Sequence, residues 1–445
     1  KYPQLYPFFL AMVMGLFGNN LFILNLTSLL LMVGVLVLFY RFMYILNIPI
    51  PLRLVSLALF ALHPWVIEYS RVTLTEAGFM LCVLLVCYYL ARFEEEKKES
   101  YFIPALVFIT VAFFTRYIGI LLLVPLCIVL FSRKAYRLFW VSIMVGMVLV
   151  GIFMWRSVLH YHEGYLSEFF NRGNYIIPAQ GIISPLGVMR RYLYASAAYV
   201  GDSIPDFLIP VFRNIVPRST FWGVKITAGI FFFLIIIKGY LVAWRHSLSK
   251  YFLLFTLVYC IFLPIFPTYG GRYLAGVYPF LILFFLAGLA KVAIARKPFF
   301  CTLGVIFLLS SHILVARQDL SVIRGGYAPA WKNLYRCFRY IREADFDPQT
   351  IVLSRKPYVG YLVSGHKTIG YPRIQDRKNM LEYIIKTNAK YVIVDTVNIG
   401  GIYFSQQYLK PVVQEHKDIF RCIYRTSDPL TEVYQVSVTP KEYAD

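Results

Sequence analysis

Charged side chains set at the ends of long apolar runs are the residues of this sequence whose types and spacing point to chemistry. Glu68, Arg71 and Glu76 fall within the stretch 63–76, Arg116 stands between Thr115 and Tyr117, and Arg272 follows Gly270 and Gly271. A charge at the centre of a bilayer costs roughly 2.5 to 3.5 kcal/mol on insertion scales, so charges beside membrane segments are informative. Arginine grips phosphate oxygens through parallel N–H donors and stays charged. Arg71, Arg116 and Arg272 come from separate helix turns. Together with Arg190 and Arg191 of a long connector they could converge on a phosphate or pyrophosphate. The competing reading of each arginine is a side chain reaching out to lipid headgroups. For Arg116 and Arg272 the phosphate reading is favoured, because a tight turn between two apolar helices has no need of a charge.

Glu76 follows Thr75 at the start of a helix, where the partial positive charge of the N-terminus stabilises a carboxylate, so a structural cap competes with a functional role. Glu68 reads as a solvated loop charge, and His63, a lone histidine before Pro64, reads as structural. His160, His162 and Glu163 alternate in a way that could touch a metal. There is no Cys or His pair with the spacing of a closed zinc site, no Gly-x-x-x-x-Gly-Lys loop, no Gly-x-Gly-x-x-Gly and no Gly-x-Ser-x-Gly. Soluble nucleotide chemistry is therefore not expected.

The elements that must position these residues are membrane helices. The chain has 445 residues, 59% of them hydrophobic and 15% charged, a balance that soluble domains do not sustain over such a length. Its apolar runs approach or exceed the roughly 17 to 25 residues needed to cross the hydrocarbon layer. They predict about ten crossings, at 18–41, 52–68, 74–92, 102–116, 117–132, 138–155, 222–243, 251–267, 274–293 and 298–315. Alternate connectors gather Arg41 and Arg53, then Lys97 and Lys98, then Arg133, Lys134 and Arg137, then Arg245 and Lys250, then Lys291, Arg296 and Lys297. The positive-inside rule puts these at the cytoplasm. Residues 1–17, the turns near Glu76, Arg116 and Arg272, the connector 156–220 and everything after Ala316 then lie outside. With an even helix count and a cytoplasmic native N-terminus, one more helix and its outer loop are expected ahead of Lys1. The formal net charge of +21 is spread along the connectors and reads as topological, so nucleic acid is not an expected partner.

The connector 156–220 is Tyr- and Arg-rich and too polar to span; Gly187 to Tyr199 reads as an amphipathic helix at the interface. A domain boundary is expected at 315/316, with 1–315 the membrane domain and 316–445 an extracytoplasmic α/β domain. In the latter, helices are expected at Tyr327 to Glu343, Asp376 to Thr387 and Ile402 to Gln414. Buried parallel strands are expected at Thr350 to Ser354 and Tyr391 to Asp395, and a closing hairpin from Ile419 to Tyr424 with Glu432 to Val438. Of seven cysteines, only Cys337 and Cys422 lie in this polar part, where they could pair. No internal repeat is apparent, which weighs against transporters built from duplicated halves.

Several short motifs, in one order and on one topological side, resemble the multi-spanning C-type glycosyltransferases, the family of dolichyl-phosphate-mannose protein mannosyltransferases and the aminoarabinose transferase. They are Lys1 through Pro7 with Leu16-Phe17-Gly18; Tyr69-Ser70-Arg71 leading to Thr75-Glu76; Thr115-Arg116-Tyr117; Arg272-Tyr273-Leu274 before Tyr278-Pro279; and a terminal α/β domain with Ser354 to Pro357 and Tyr391 to Asp395. The resemblance implies transfer of a sugar from a polyprenyl-phosphate carrier to a hydroxyl acceptor on a protein, lipid or glycan, with inversion, at the outer face of a bacterial or archaeal cell (inner) membrane. It makes Lys1, Tyr6, Arg116, Arg190, Arg191, Arg272 and Tyr273 donor or phosphate contacts. Glu76 matches the second acidic position, near the acceptor or a metal, while the principal catalytic Asp falls in a loop ahead of Lys1. It implies no certain cofactor; a divalent metal ion accompanies some members. The rival class is a lipid-carrier flippase, a transporter or a membrane receptor for an outer ligand. A transporter is expected to hold its charges near the midplane, and these charges gather at one face. A ligase using a diphosphate-linked oligosaccharide would use the same arginines.

Overall fold

Proline, glycine and short 3₁₀ segments decide where the apolar runs break. The computed structural model describes residues 3–18, 20–159, 184–212, 222–244, 250–265, 270–294, 298–324, 328–345, 347, 349–372, 376–398 and 403–438. Helix α1 (Leu5–Phe17) ends at Gly18, whose φ of 76° suits a residue without Cβ. It was not expected, since the N-terminal stretch was read as outer loop. The Asn20 side chain caps α2 (Leu21–Ile45) by accepting from the Phe22 amide. The predicted crossing 52–68 is two helices, α3 (Ile50–Ala61) and α4 (Pro64–Arg71), bent by 59°. Pro64 lacks an amide hydrogen and keeps His63 extended, so the ladder cannot run through. α5 (Thr75–Glu96) follows, then α6 (Phe102–Thr115), a 3₁₀ segment at Tyr117–Leu122, α7 (Leu123–Ser132) and α8 (Tyr136–Leu159).

This is a helical membrane protein. Among the described residues five helices are long and apolar enough to cross, Leu21–Ile45, Thr75–Glu96, Tyr136–Arg156, Gly223–Ala243 and Gly271–Lys291, and the bent pair makes a sixth if counted as one span. That is fewer full-length crossings than the sequence predicts. The remaining apolar helices, at Leu5–Phe17, Glu99–Thr115, Tyr117–Ser132, Lys250–Ile265 and Thr302–Gln318, have only 10–17 residues. Hydropathy registers composition and is blind to the breaks that shorten them.

By contacts the chain divides into two compact units, Lys1–Asp319 and Leu320–Asp445. In the first, the ring of Phe42 on α2 meets Phe252 edge-on at 4.3 Å, and Phe252 stacks on Phe280 at 5.9 Å, so early and late helices share one core. The helices Trp222–Trp244 and Tyr278–Ile294 cross at Gly239 and Gly288, where a Cβ on either would run into a carbonyl of the other helix. Small residues permit this approach, which is how helices gain packing contacts in lipid. The described part of the long connector is a helix at Pro185–Ala198, capped by Ser184, a π turn at Tyr199–Ser203 and a short helix at Ile204–Leu208. Buried Lys225 ties it to the next crossing helix through Asp202 at 3.0 Å and Asp206 at 3.1 Å. His160, His162 and Glu163 lie outside the described residues.

The second unit contains the helix Pro329–Ala344 and carries a five-stranded sheet in the order β2-β1-β3-β5-β4, formed by β1 (Ile351–Leu353), β2 (Lys367–Ile369), β3 (Tyr391–Val394), β4 (Phe420–Arg425) and β5 (Glu432–Val436). β1 runs parallel to β2 and β3, and β4 and β5 form the expected antiparallel hairpin. Strand β2 and the helix Pro357–Ser364 were not expected: β2 is three residues at a sheet edge, and Gly360 interrupts the helical pattern. The predicted helix 402–414 is two, Phe404–Tyr408 and Lys410–Glu415, with Pro411 in the first turn of the second. Cys337 is buried, Cys422 is exposed, and neither is in a disulfide.

Two acids in this unit are perturbed in opposite senses. Burial pushes Asp395 up, against the Ser405 hydroxyl and the Val397 amide that donate to it. Burial also opposes the charge of Asp345. The Lys390 ammonium at 2.8 Å, the Asp347 amide and the Thr350 hydroxyl nevertheless hold its carboxyl well below the usual range. A depressed carboxyl adds stability that is present above its unfolded value near ~3.9 and lost as pH falls through the folded value. Asp345→Asn is therefore expected to cost about 1–2 kcal/mol at pH 7, kept modest by the partly exposed Lys390. The deficit should shrink on acidification below about pH 4. Hydrogen exchange of the β1 and β3 amides in the full chain checks both; equal protection at pH 7 would refute it.

Candidate active site

Glu76 sits in the first turn of α5 with no solvent exposure at all. Its Oε1 accepts from Arg272 Nε at 2.9 Å and lies 2.8 Å from Arg272 Nη2, with Arg116 Nη1 at 3.4 Å. Thr75 Oγ1 donates to Oε2 at 3.3 Å. Three segments separated by up to 196 positions are thereby drawn to one carboxylate. Arg116 is 13% exposed in its side chain and Arg272 is 50% exposed. The aromatic ring of Tyr273 lies against both guanidinium groups, at 5.6 Å from Arg116 and 5.5 Å from Arg272, and Phe79 lies 5.8 Å from Arg116. Among the described residues no second carboxylate joins them, so two positive charges face one negative charge, with the excess at the open side of Arg272.

Local backbone geometry explains the placement. Arg116 occupies the extended break between α6 and the 3₁₀ segment, and that segment folds back so tightly that a Cβ on Gly119 would collide with the backbone of Ala112 and Phe113. Arg272 rides on the 3₁₀ segment Gly271–Val277, which follows Gly270 at φ 150°. The Tyr278 hydroxyl donates to the Gly271 carbonyl and the Tyr259 hydroxyl to the Tyr273 carbonyl at 2.6 Å, fixing the segment from below. Gly271 lies against Trp65, whose indole stacks on Tyr278 at 5.6 Å; Tyr278 stacks in turn on Phe207 at 4.3 Å. His63 anchors this stack, its Nε2 at 3.0 Å from the Phe207 carbonyl and its Nδ1 accepting from the Trp65 amide.

The other expected contacts are distributed unevenly. Tyr6 on α1 is buried, and its ring stands 3.6 Å from where a Cβ on Gly78 would be, half a turn past Glu76. Lys1 lies outside the described residues. Arg191 is buried and donates to the Ile265 carbonyl at 3.2 Å, holding the connector helix against the end of Lys250–Ile265. Arg190 is exposed, as are Glu68 and Arg71. No described contact brings Arg71, Arg190 or Arg191 to Glu76. Arg190 and Arg191 are consecutive on a helix and so point about 100° apart. The supporting stack of Trp65, Phe207 and Tyr278 was missed; its available signals were Trp65 directly after His63-Pro64 and the Gly270-Gly271 pair.

A divalent ion takes about six oxygen ligands, and Mg²⁺ or Ca²⁺ is held chiefly by carboxylates and carbonyls. Beside Glu76 stand guanidinium groups that repel a cation, and among the described residues no group of three or more His, Cys, Asp or Glu gathers. The residues around Glu76 do not fit a metal. They do fit an anion at Arg272. No curated protein matches the chain. Residues 1–161, which carry Glu76 and Arg116, match the family model described as dolichyl-phosphate-mannose-protein mannosyltransferase, the family that the sequence motifs resemble.

Proposed function

We propose that the protein moves a sugar from a polyprenyl-phosphate carrier to a hydroxyl acceptor at the extracytoplasmic face of the membrane, with inversion at the anomeric carbon. The observation that carries this reading is the buried Glu76 holding Arg116 and Arg272 with net positive charge on an open side. In the reaction the acceptor oxygen attacks the anomeric carbon, the bond from that carbon to the phosphate oxygen breaks, and its electron pair stays on the phosphate. The acceptor proton passes to a general base. Negative charge grows on the leaving phosphate, which is where preorganised guanidinium donors lower the barrier. Arg272 is half exposed and meets the phosphate directly; Arg116, more enclosed, adds its charge from behind. Glu76 orients both, and its buried Oε2 accepts from the Thr75 hydroxyl. Tyr273 and Tyr6 shape the floor beside them.

The matching topology has ten crossings, made by the five full-length helices, the bent α3–α4 pair and four of the shorter apolar helices, with α1 outside the count. The basic connectors then face the cytoplasm and the Glu76 site faces out. The test is transfer by the full chain in proteoliposomes supplied with radiolabelled polyprenyl-phosphate sugars and an acceptor extract. Arg272→Ala should fold normally and lose about 10²–10³-fold in donor kcat/KM. No transfer from any common donor would count heavily against the reading, and full activity of Arg272→Ala would remove that residue from the site.

A further inference from the structure

Among the described residues Arg53 is the buried charge without a hydrogen bond or ion pair on its guanidinium. Glu76, Arg191, Lys225, Asp345, Asp395 and Glu432 are buried too, and each meets a partner of opposite charge or a hydrogen-bonding group. Arg53 is 9% exposed, its Nε is sealed from solvent with no acceptor, and its guanidinium lies 5.5 Å from the Tyr40 ring and 5.3 Å from the Tyr44 ring. Ring contact engages the π face of a guanidinium, whereas its five N–H donors point outward in the plane and still need acceptors. A buried cation left in that state is costly unless an anion completes it.

Position says what the anion is. Thr73 Oγ1 donates to Asn25 Oδ1 at 3.2 Å, so the start of α2 lies at the Glu76 end of the bundle. Tyr40 and Tyr44 come 15 and 19 residues later on the same helix, about 22–28 Å along its axis, which puts Arg53 at the opposite face. Beside it Ile50 and Leu54, one helical turn apart on α3, and Tyr44 are exposed apolar side chains that acyl chains would cover. Arg41 is exposed at the same end of α2, and the chain's net charge is +21.

We infer that Arg53, with Tyr40 and Tyr44, forms a site for the phosphate headgroup of an anionic phospholipid at the membrane face opposite Glu76. The phosphate oxygens take the Nη donors, the two tyrosine rings wall the guanidinium, and the tails run along Ile50 and Leu54. Basic pockets between helices at the cytoplasmic side bind such headgroups, and each cation near an anionic surface contributes about 1 kcal/mol, or roughly fivefold in affinity.

Native mass spectrometry of the purified full chain tests this with added phosphatidylglycerol, diacylglycerol of the same chains, or inorganic phosphate. The wild type should retain phosphatidylglycerol through delipidation and not diacylglycerol. Arg53→Gln should weaken that retention about five- to tenfold. Equal retention by wild type and Arg53→Gln would overturn the site, and displacement of the lipid by inorganic phosphate at matched concentration would overturn its assignment to a lipid. Should Arg53→Gln fail to fold, a photoactivatable phosphatidylglycerol on the wild type decides: crosslinks concentrated in residues 40–54 uphold the site, and crosslinks confined elsewhere refute it.

Discussion

Glu76→Gln should fold less stably than the wild type and transfer almost no sugar. The substitution keeps the shape of the side chain and removes its charge, so two guanidinium groups are left facing each other across a neutral amide. One amide oxygen can still accept from Arg272, but the amide nitrogen brings two further donors to a place where, of the partners Arg272, Arg116 and Thr75, only the Thr75 hydroxyl can accept. Breaking a buried ion pair by deleting one partner costs roughly 3–5 kcal/mol. The lower part of that range is expected here, because Arg272 is half exposed and water screens it. The loss of rate has a separate origin. Arg272 is a long side chain whose direction is set by its two contacts to Oε1, and without them it samples positions away from the proposed phosphate site. A fall of about 10²–10³-fold in kcat/KM follows from losing one aligned donor, with more if Arg116 moves as well. Glu76→Asp keeps the charge but withdraws it by one methylene, so it should retain stability better than activity. Thermal inactivation of the full chain and transfer at varied donor concentration separate the two effects. Wild-type kcat/KM together with an unchanged melting temperature in Glu76→Gln would mean that Glu76 does not organise the site.

The convergence of Glu76, Arg116 and Arg272 was legible because a charge among apolar helices is expensive, so the few that occur are placed where they meet something. The same logic says less about Arg190 and Arg191. Their composition suggested a shared phosphate, yet adjacency on a helix sends one to solvent and the other to the Ile265 carbonyl. Composition carries no direction. In the α/β unit, β1 and β3 were readable as short, wholly apolar runs, and the hairpin as two alternating ones. β2 was not: three residues, Lys367 to Ile369, gain strand character only from pairing with β1. The crossing helices were found as segments but not as geometry. Pro64, Gly119 and the 3₁₀ segments at Tyr117–Leu122 and Gly271–Val277 interrupt hydrogen-bond ladders without interrupting hydropathy, and the site is built on those interruptions.

Gly271→Ala puts that last point to a direct test, since it alters no charged group and no group that meets a substrate. A Cβ at this position would overlap the far ring edge of Trp65, at Cη2, Cζ2 and Cζ3. The indole cannot swing aside easily, because it is stacked on Tyr278 within 14° of parallel, and its own backbone amide is held by His63. The 3₁₀ segment must therefore lift, carrying Arg272 and Tyr273 with it and straining the Tyr278 hydrogen bond to the Gly271 carbonyl. Overpacking of this kind costs about 1–3 kcal/mol, and a shift near 1 Å at a reacting group lowers rate about 10²-fold. Transfer by Gly271→Ala should fall by that order while the protein remains folded enough to purify. The second variant supplies the discrimination. Trp65→Phe removes the outer ring that meets the new methyl, so the double variant should recover much of the lost activity even though Trp65→Phe alone lowers it. Additive losses in the double variant would show that Gly271 acts on Arg272 by some route other than contact with Trp65, and unchanged activity in Gly271→Ala would show that the position of this segment does not govern transfer.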